Sequence, residues 1–430
     1  LLYKERHVRL LLMQIFCDNG FAMASSSQKA RTQGQQSTLH KQALFYFSVL
    51  IVFLGASCAP TPLYPLYQHA WGFSSAVLTT VFAVYMFALL ATLLVSGSLS
   101  DHWGRKPVIG GAIVLEALAF GAFLLANGPG WLIVGRVLQG VATGIMTSAV
   151  VAAIIDSDAR RGALMASIGP FFGMAVGGLF SGLLVSYAPL PMRLVFVLLL
   201  GGLLLQLAWL PAMVETALVA PGHRLSLRPQ VKIPTSVRAT LLRVVAVSIA
   251  AWMLGGFTLS LGPSLVLAEG GLQTPLMGVL PLFALSLVGS GVIFILRQHS
   301  PQAALWSGGW GITIGMGLIL LGLHQHMLWL LLVAILVAGA GFGGGFMGVM
   351  RAVTPLVAAS ERSAVMAALY IIWYMAASMP ALIAGIATDY FGLEATTYVY
   401  GAVVMGLAMV ALLGIFNNAR ESQPTPCPNG

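Results

Sequence analysis

Apolar residues in this chain do not alternate with polar ones. They come in near-continuous runs of about twenty residues, long enough for a helix to cross the roughly 30 Å hydrocarbon core of a bilayer. The runs fall at 44–67, 75–100, 107–127, 131–155, 162–187, 191–213, 239–267, 275–296, 303–323, 327–350, 363–388 and 395–416. Twelve such runs predict an all-α integral membrane protein with twelve transmembrane helices in two six-helix halves. Short connections separate most runs, and none could hold a soluble domain. The longest, 214–238, is rich in Pro and basic residues and divides the runs six and six. The expected organisation is a disordered cytoplasmic tail over 1–43, an N-terminal half over 44–213 and a cytoplasmic linker over 214–238. A C-terminal half follows over 239–416, then a cytoplasmic tail over 417–430. Near the start, Lys4–Phe16 is too short and too interrupted for a signal peptide, and Met13 or Met23 is the expected start of translation.

An internal repeat supports two halves. At a constant offset of 201 residues, Gly55 matches Gly256, Pro62 matches Pro263, Gly140 and Gly144 match Gly341 and Gly345, and Arg161 matches Arg362.

Composition agrees with the pattern. The chain is 58% hydrophobic and only 8% charged, with mean hydropathy +0.92, whereas soluble domains are about 25% charged. The net charge of +9 comes from basic residues spread over alternate connections, which argues against nucleic-acid binding. Arg105, Lys106, Arg160, Arg161, Arg351 and Arg420 fall on one side with others, against Arg193 alone on the other. The positive-inside rule then places both termini in the cytoplasm of a plasma (inner) membrane protein. Cys17, Cys58 and Cys427 form no paired motif, and His324 and His326 lack a third ligand, so no metal site is expected. There is no GxxxxGK[ST] loop, so ATP is not the expected energy source.

One connection is unlike the others. Gly97, Asp101, Gly104, Arg105 and Lys106 lie between the second and third runs. An anchor at the membrane surface accounts for the basic pair but not for the acid or the glycines. Gly97 suits close packing against a neighbour and Gly104 a tight turn. This spacing resembles the loop 2–3 signature of the major facilitator superfamily. The resemblance implies a major facilitator fold with alternating access and substrate held between the halves. It also implies that Asp101 meets the start of the eleventh span near Ser363, steadying the outward-open state. Arg105 is expected to pair with Asp156 or Asp158.

Three further stretches bear on chemistry. Pro60, Pro62 and Pro65 in the first span free backbone carbonyls, and with Tyr64 they suggest a broken helix lining a cavity. Their pattern is similar to a proline motif of drug/proton antiporters. In the fourth span Arg136, Gln139 and Thr143 share a face, also read as cavity lining. Arg-x-x-Gln-Gly resembles the superfamily's fourth-span motif, linked there to proton transfer. In the fifth span Gly169, Pro170, Gly173 and Gly177 resemble an exporter motif whose kink shapes the interface between halves; importers generally lack it.

Glu116 is the one carboxylate near the middle of a span. It and Arg136 are the proton-coupling candidates, although their depths differ by about 9 Å. The acidic site found in some antiporter first spans is missing, and the C-terminal half shows no functional motif. The best match is the twelve-span drug/proton antiporter branch. The expectation is proton-coupled efflux of small organic compounds, by a monomer in the lipid bilayer that binds substrate and protons and no cofactor. The alternatives are export of a metabolite such as a sugar or amino acid, or uptake by symport. A membrane enzyme would need a cluster of catalytic groups that the sequence does not show.

Overall fold

The computed structural model describes residues 38–97, 99–217, 231–269, 274–358 and 361–421, with side chains as far as Phe416. Expectations for most of the N-terminal tail, the middle of the linker and the last residues lie outside the described residues.

Among the described residues, twelve helices are long and apolar enough to span a bilayer. They are α1 (Thr38–Trp71), α2 (Ser75–Ser96), α3 (Arg105–Leu124), α4 (Pro129–Ser157), α5 (Gly162–Tyr187) and α6 (Leu194–Ala212). After the linker come α7 (Thr235–Ser260), α8 (Pro275–Leu296), α9 (Pro301–His324), α10 (Leu328–Leu356), α11 (Arg362–Phe391) and α12 (Leu393–Phe416). Among the described residues there is no strand. Helices satisfy their own backbone groups, which is what a hydrocarbon solvent demands. Their ends follow ordinary chemistry. Pro129, Pro275 and Pro301 open helices, where a missing N–H costs nothing. The Ser74 hydroxyl caps α2 and that of Ser300 caps α9.

The expected spans match to within a few residues, with two differences. α1 begins at Thr38, so residues 38–43, assigned to the tail, are its first turns. Ala43 is fully buried there, and the Gln42 amide donates to the Val214 carbonyl at 2.8 Å and accepts from the Val214 N–H at 3.1 Å. The seventh run is two helices, because Pro263 follows the end of α7 and opens a short helix, Gly262–Glu269.

Twelve crossings bring the start of α1 and the end of α12 to one side, the terminal side; the other is the far side. Each half has its own apolar core, one around Phe53, Phe120 and Phe196, the other around Leu254, Ile312 and Trp373. The halves meet where α2 packs on α11 and α5 on α8. A third cluster fills this seam, with Cys58, Phe82 and Tyr85 facing Leu259, Leu282 and Ala381. The two halves also repeat structurally. A Cβ on Gly177 of α5 would fall 2.1 Å from the Gly55 Cα of α1, and one on Gly256 of α7 would fall 2.1 Å from the Ala377 carbonyl of α11.

Hydrogen bonds draw the halves together on the far side. The Asp389 carboxylate at the end of α11 accepts from the N–H groups of Ser75 and Ala76 at 2.9 and 3.0 Å, capping α2. The Leu276 N–H of α8 donates to the Ser186 hydroxyl of α5 at 2.8 Å. The far side of this conformation is closed.

Candidate functional site

The three prolines act as the sequence suggests. Pro60 has no N–H to give Ala56, and the chain tightens into a single 3-10 turn at Thr61–Leu63 before α1 resumes at Tyr64. Three carbonyls nearby take side-chain donors, that of Ala56 in addition to the Ala59 N–H at 3.1 Å. Gln139 Nε2 donates to Ala56 at 3.2 Å, Arg136 to Ser57 at 2.7 Å, and the Ser181 hydroxyl to Ala59 at 2.6 Å.

Arg136 is the centre of a buried polar chain. Its guanidinium donates to the Gln139 side-chain oxygen at 2.8 Å and to the Tyr64 hydroxyl through both Nε (3.1 Å) and Nη2. Gln139 Nε2 then donates to Glu116 Oε1 at 2.8 Å. Glu116 Oε2 has no partner among the described residues. Gln139 therefore spans the depth difference that separates Glu116 from Arg136. On the other flank the Arg136 guanidinium lies 5.2 Å from the centre of the Tyr85 ring, and Tyr85 belongs to the seam between the halves. The order from the interior of the N-terminal half outward is Glu116, Gln139, Arg136, Tyr85. The one amide gives both Arg136 and one Glu116 oxygen a hydrogen-bond partner in a low-dielectric interior, where an unpaired polar group is costly.

This placement corrects the cavity-lining reading. Tyr64 and Arg136 are each 1% exposed, Gln139 and Thr143 are fully buried, and Pro60 is buried as well. Arg136 and Gln139 turn to α1 and α3, because the carbonyls of the broken segment of α1 and the Glu116 carboxyl offer them partners.

In the charged turn, Arg105 bonds Asp156 at 3.3 Å, the Ser100 hydroxyl at 2.6 Å and Asp101 at 2.6 Å. Asp158 turns to His40 at 3.2 Å and to the N–H groups of Arg160 and Arg161. The N–H of Arg161 and burial oppose one another, and the remaining hydrogen bonds hold the Asp158 carboxyl below its ordinary range. Lys106 donates to the carbonyls of Pro211 and Met213 at 2.9 and 2.6 Å, tying down the end of α6. Gly104 has φ +94°, which favours glycine.

Two expectations for the turn fail in this conformation. Asp101 does not reach α11; it stays with Arg105 and is 66% exposed. A Cβ on Gly97 would meet open space, so close packing does not explain that glycine here. Both follow from hydrogen bonding and close packing between the halves being gathered at the opposite end. The glycines of α5 also need correction. Gly169, Gly173 and Gly177 pack on Leu50, Ile51 and Gly55 of α1, within the half. The contacts across the seam are made by Gly178 and Gly182 against Leu282 and Val279 of α8, and by Phe171, next to Pro170.

Three features escaped the sequence reading. Glu215, just past α6, accepts from the N–H groups of Arg105 and Lys106 at 2.8 and 3.0 Å and so caps α3. Burial alone would raise its carboxyl, but four backbone N–H donors outweigh it and hold the group below its ordinary range. Asp389, which no motif singled out, caps α2. The C-terminal half, read as featureless, carries a group of rings around Trp252 at the seam. An acid placed beside a basic helix start could have signalled Glu215; the rings gave no signal apart from ordinary core aromatics.

The sequence profile of the Major Facilitator Superfamily matches residues 45–323. The 3-(3-hydroxy-phenyl)propionate transporter of Escherichia coli (strain K12) is 27% identical over 390 residues, 84% of this chain and 87% of that protein. The MFS-type transporter pydD of Acremonium sp is 31% identical over 122 residues, and the match spans only 21% of its length and 27% of this chain. In fold, the chain is similar to a bacterial homologue of the human lysosomal transporter Spinster, in its inward-facing and unoccupied conformation. The TM-score is 0.72, over 91% of this chain and 99% of that one, at 13% identity. The human organic anion transporter MFSD10 gives a TM-score of 0.63 over 87% and 99%, at 16% identity.

Proposed function

The chain belongs to the Major Facilitator Superfamily and is a membrane transporter rather than an enzyme, and within that family we propose that it is a secondary active exporter. It exchanges protons for small organic compounds, as in the drug/proton antiporter-like branch, through alternating access of a site between the halves. The orientation is the one that the basic residues favour, with both termini in the cytoplasm of the plasma membrane.

The observation that carries this reading is the buried chain from Glu116 through Gln139 to Arg136 and the seam. A proton on Glu116 sits on Oε2, the oxygen without a partner. Its loss strengthens the pull of the carboxylate on the Gln139 amide and hence on Arg136. Arg136 in turn holds the broken segment of α1 through Ser57 and Tyr64 and lies against Tyr85. A change of charge inside one half is thereby felt where the halves meet, and differential stabilisation of the two states is what coupling requires. The exporter-like motif around Pro170 supports the outward direction.

A second reading, uptake of an aromatic acid by symport, is favoured by the Escherichia coli relative, whose name gives an aromatic acid as its substrate. One experiment separates the two. In proteoliposomes with an imposed pH gradient, an antiporter concentrates its substrate in the acidic compartment and a symporter in the alkaline one, relative to protein-free vesicles. A panel of small aromatic and aliphatic compounds should accumulate on the acidic side for at least one member. Equilibration indifferent to the gradient would refute proton coupling.

A further inference from the structure

We infer that the site between the halves takes a planar aromatic compound bearing an anionic or other acceptor oxygen, recognised by rings of the C-terminal half. This rests on the reading of the seam as the transport path and names the substrate class for it.

The rings are continuous. Trp252 of α7 stacks on Trp373 of α11 with centroids 5.5 Å apart and planes inclined by 10°. Tyr374 meets Trp252 edge-on at 5.6 Å, and Tyr370 stacks on Tyr374 at 6.1 Å. Phe171 crosses from the N-terminal half to Phe346 of α10 at 5.2 Å. Trp373 and Phe171 are buried, whereas Trp252, Phe346, Tyr370 and Tyr374 are only partly so. Tyr370 and Tyr374 pack against the seam cluster that contains Cys58 and Tyr85. Both tyrosines therefore lie at the seam between the halves.

Packing alone does not account for the polar atoms here. The Trp373 indole N–H donates to the Ser248 hydroxyl, but the buried Trp252 Nε1 has no acceptor among the described residues. A buried donor without a partner is costly, and a ligand oxygen would supply the partner. Exposed indole and phenol faces suit offset or edge contact with another planar π-system.

Charge selects among aromatic ligands. Electron-rich ring faces can also hold cations, so the surrounding field decides. Arg136 lies between Glu116 and the seam, so the positive end of the polar chain points toward the rings through Tyr85. Among the described residues Glu116 is the only carboxylate in the middle of a span, and it is fully buried within its half. A cationic ligand meets no counter-ion, whereas an anion or acceptor meets a positive potential.

Titration calorimetry on the purified protein in nanodiscs, without any gradient, tests this with three probes of similar size. They are 2-naphthoate, its saturated analogue decahydro-2-naphthoate, and the cation 2-naphthylmethylammonium. The naphthoate should bind about tenfold more tightly than either of the others. Trp252→Phe, which keeps a ring but removes the N–H, should weaken naphthoate several-fold and leave the preference for planar over saturated unchanged. Trp252→Leu should abolish that preference. Equal affinity for planar and saturated probes, tighter binding of the cation, an unaffected Trp252→Phe, or no binding to protein of native thermal stability would each overturn the inference. A protein that binds naphthoate selectively yet moves no substrate against a pH gradient would sink the coupled-transport reading and keep this one.

Discussion

Gly104 is fixed twice over. Its backbone lies at φ +94°, and a Cβ there would come 2.8 Å from a carboxylate oxygen of Glu215. The same carboxylate accepts the two N–H groups that open α3, which an apolar side chain cannot do. Glu215→Ala should therefore lower the melting temperature by a few degrees at neutral pH. The sign with pH follows from the depressed folded-state value of this carboxyl. Its contribution is complete above the ordinary glutamate range, about pH 4.3, and fades as pH falls through the folded value. Thermal melts of wild type and Glu215→Ala should diverge above about pH 5 and converge in stronger acid; a gap that persists or widens in acid would refute the cap. At this scale the sequence showed which residues were unusual but not all their partners. Asp101, Glu116, Arg136 and Gly104 stood out because charge and glycine are informative in an apolar chain. Gln139 as the bridge, and Glu215 as the cap, depend on side-chain directions that spacing does not reveal.

α2 and α11 carry acids at opposite ends. Asp389 closes α11 and caps the start of α2 on the far side. Asp101 lies past the end of α2 on the terminal side, where the family resemblance directs it to the start of α11. We propose that the two acids act as alternate latches, one for each closed side; in this conformation Asp389 caps α2 while Asp101 stays with Arg105. A charge at a helix N-terminus contributes about 0.3–1 kcal/mol, so Asp389→Asn should shift the balance between states by roughly two- to five-fold. Spin labels at the exposed His69 and His324, both on the far side in opposite halves, report the separation. Electron–electron resonance should show a larger long-distance population in Asp389→Asn, and unchanged distances would mean that this cap is no latch. The elements themselves were legible because bilayer thickness sets their length. What misled was the assignment of glycine faces. A stripe spaced by four predicts close packing but not the partner, and Gly169, Gly173 and Gly177 chose α1 over the other half.

For the molecule as a whole, the twelve runs were enough to give an all-helical fold with twelve spans. The sequence could not show which side is closed, because both states use the same residues. Nor could it show the rings at the seam, since Trp252 and Tyr374 look like any core aromatics until the two halves are folded against each other. In the proposed function, Glu116 exchanges a proton when substrate binds at that seam, through Gln139 and Arg136. Proton release is measured directly by adding a transported compound to the purified protein in weakly buffered detergent solution with a pH indicator. Wild type should release protons in proportion to the substrate bound. Glu116→Gln, which keeps the shape of the group but cannot ionise, should bind substrate and release none. Undiminished release from a Glu116→Gln protein that still binds substrate would contradict the account and move the proton site elsewhere.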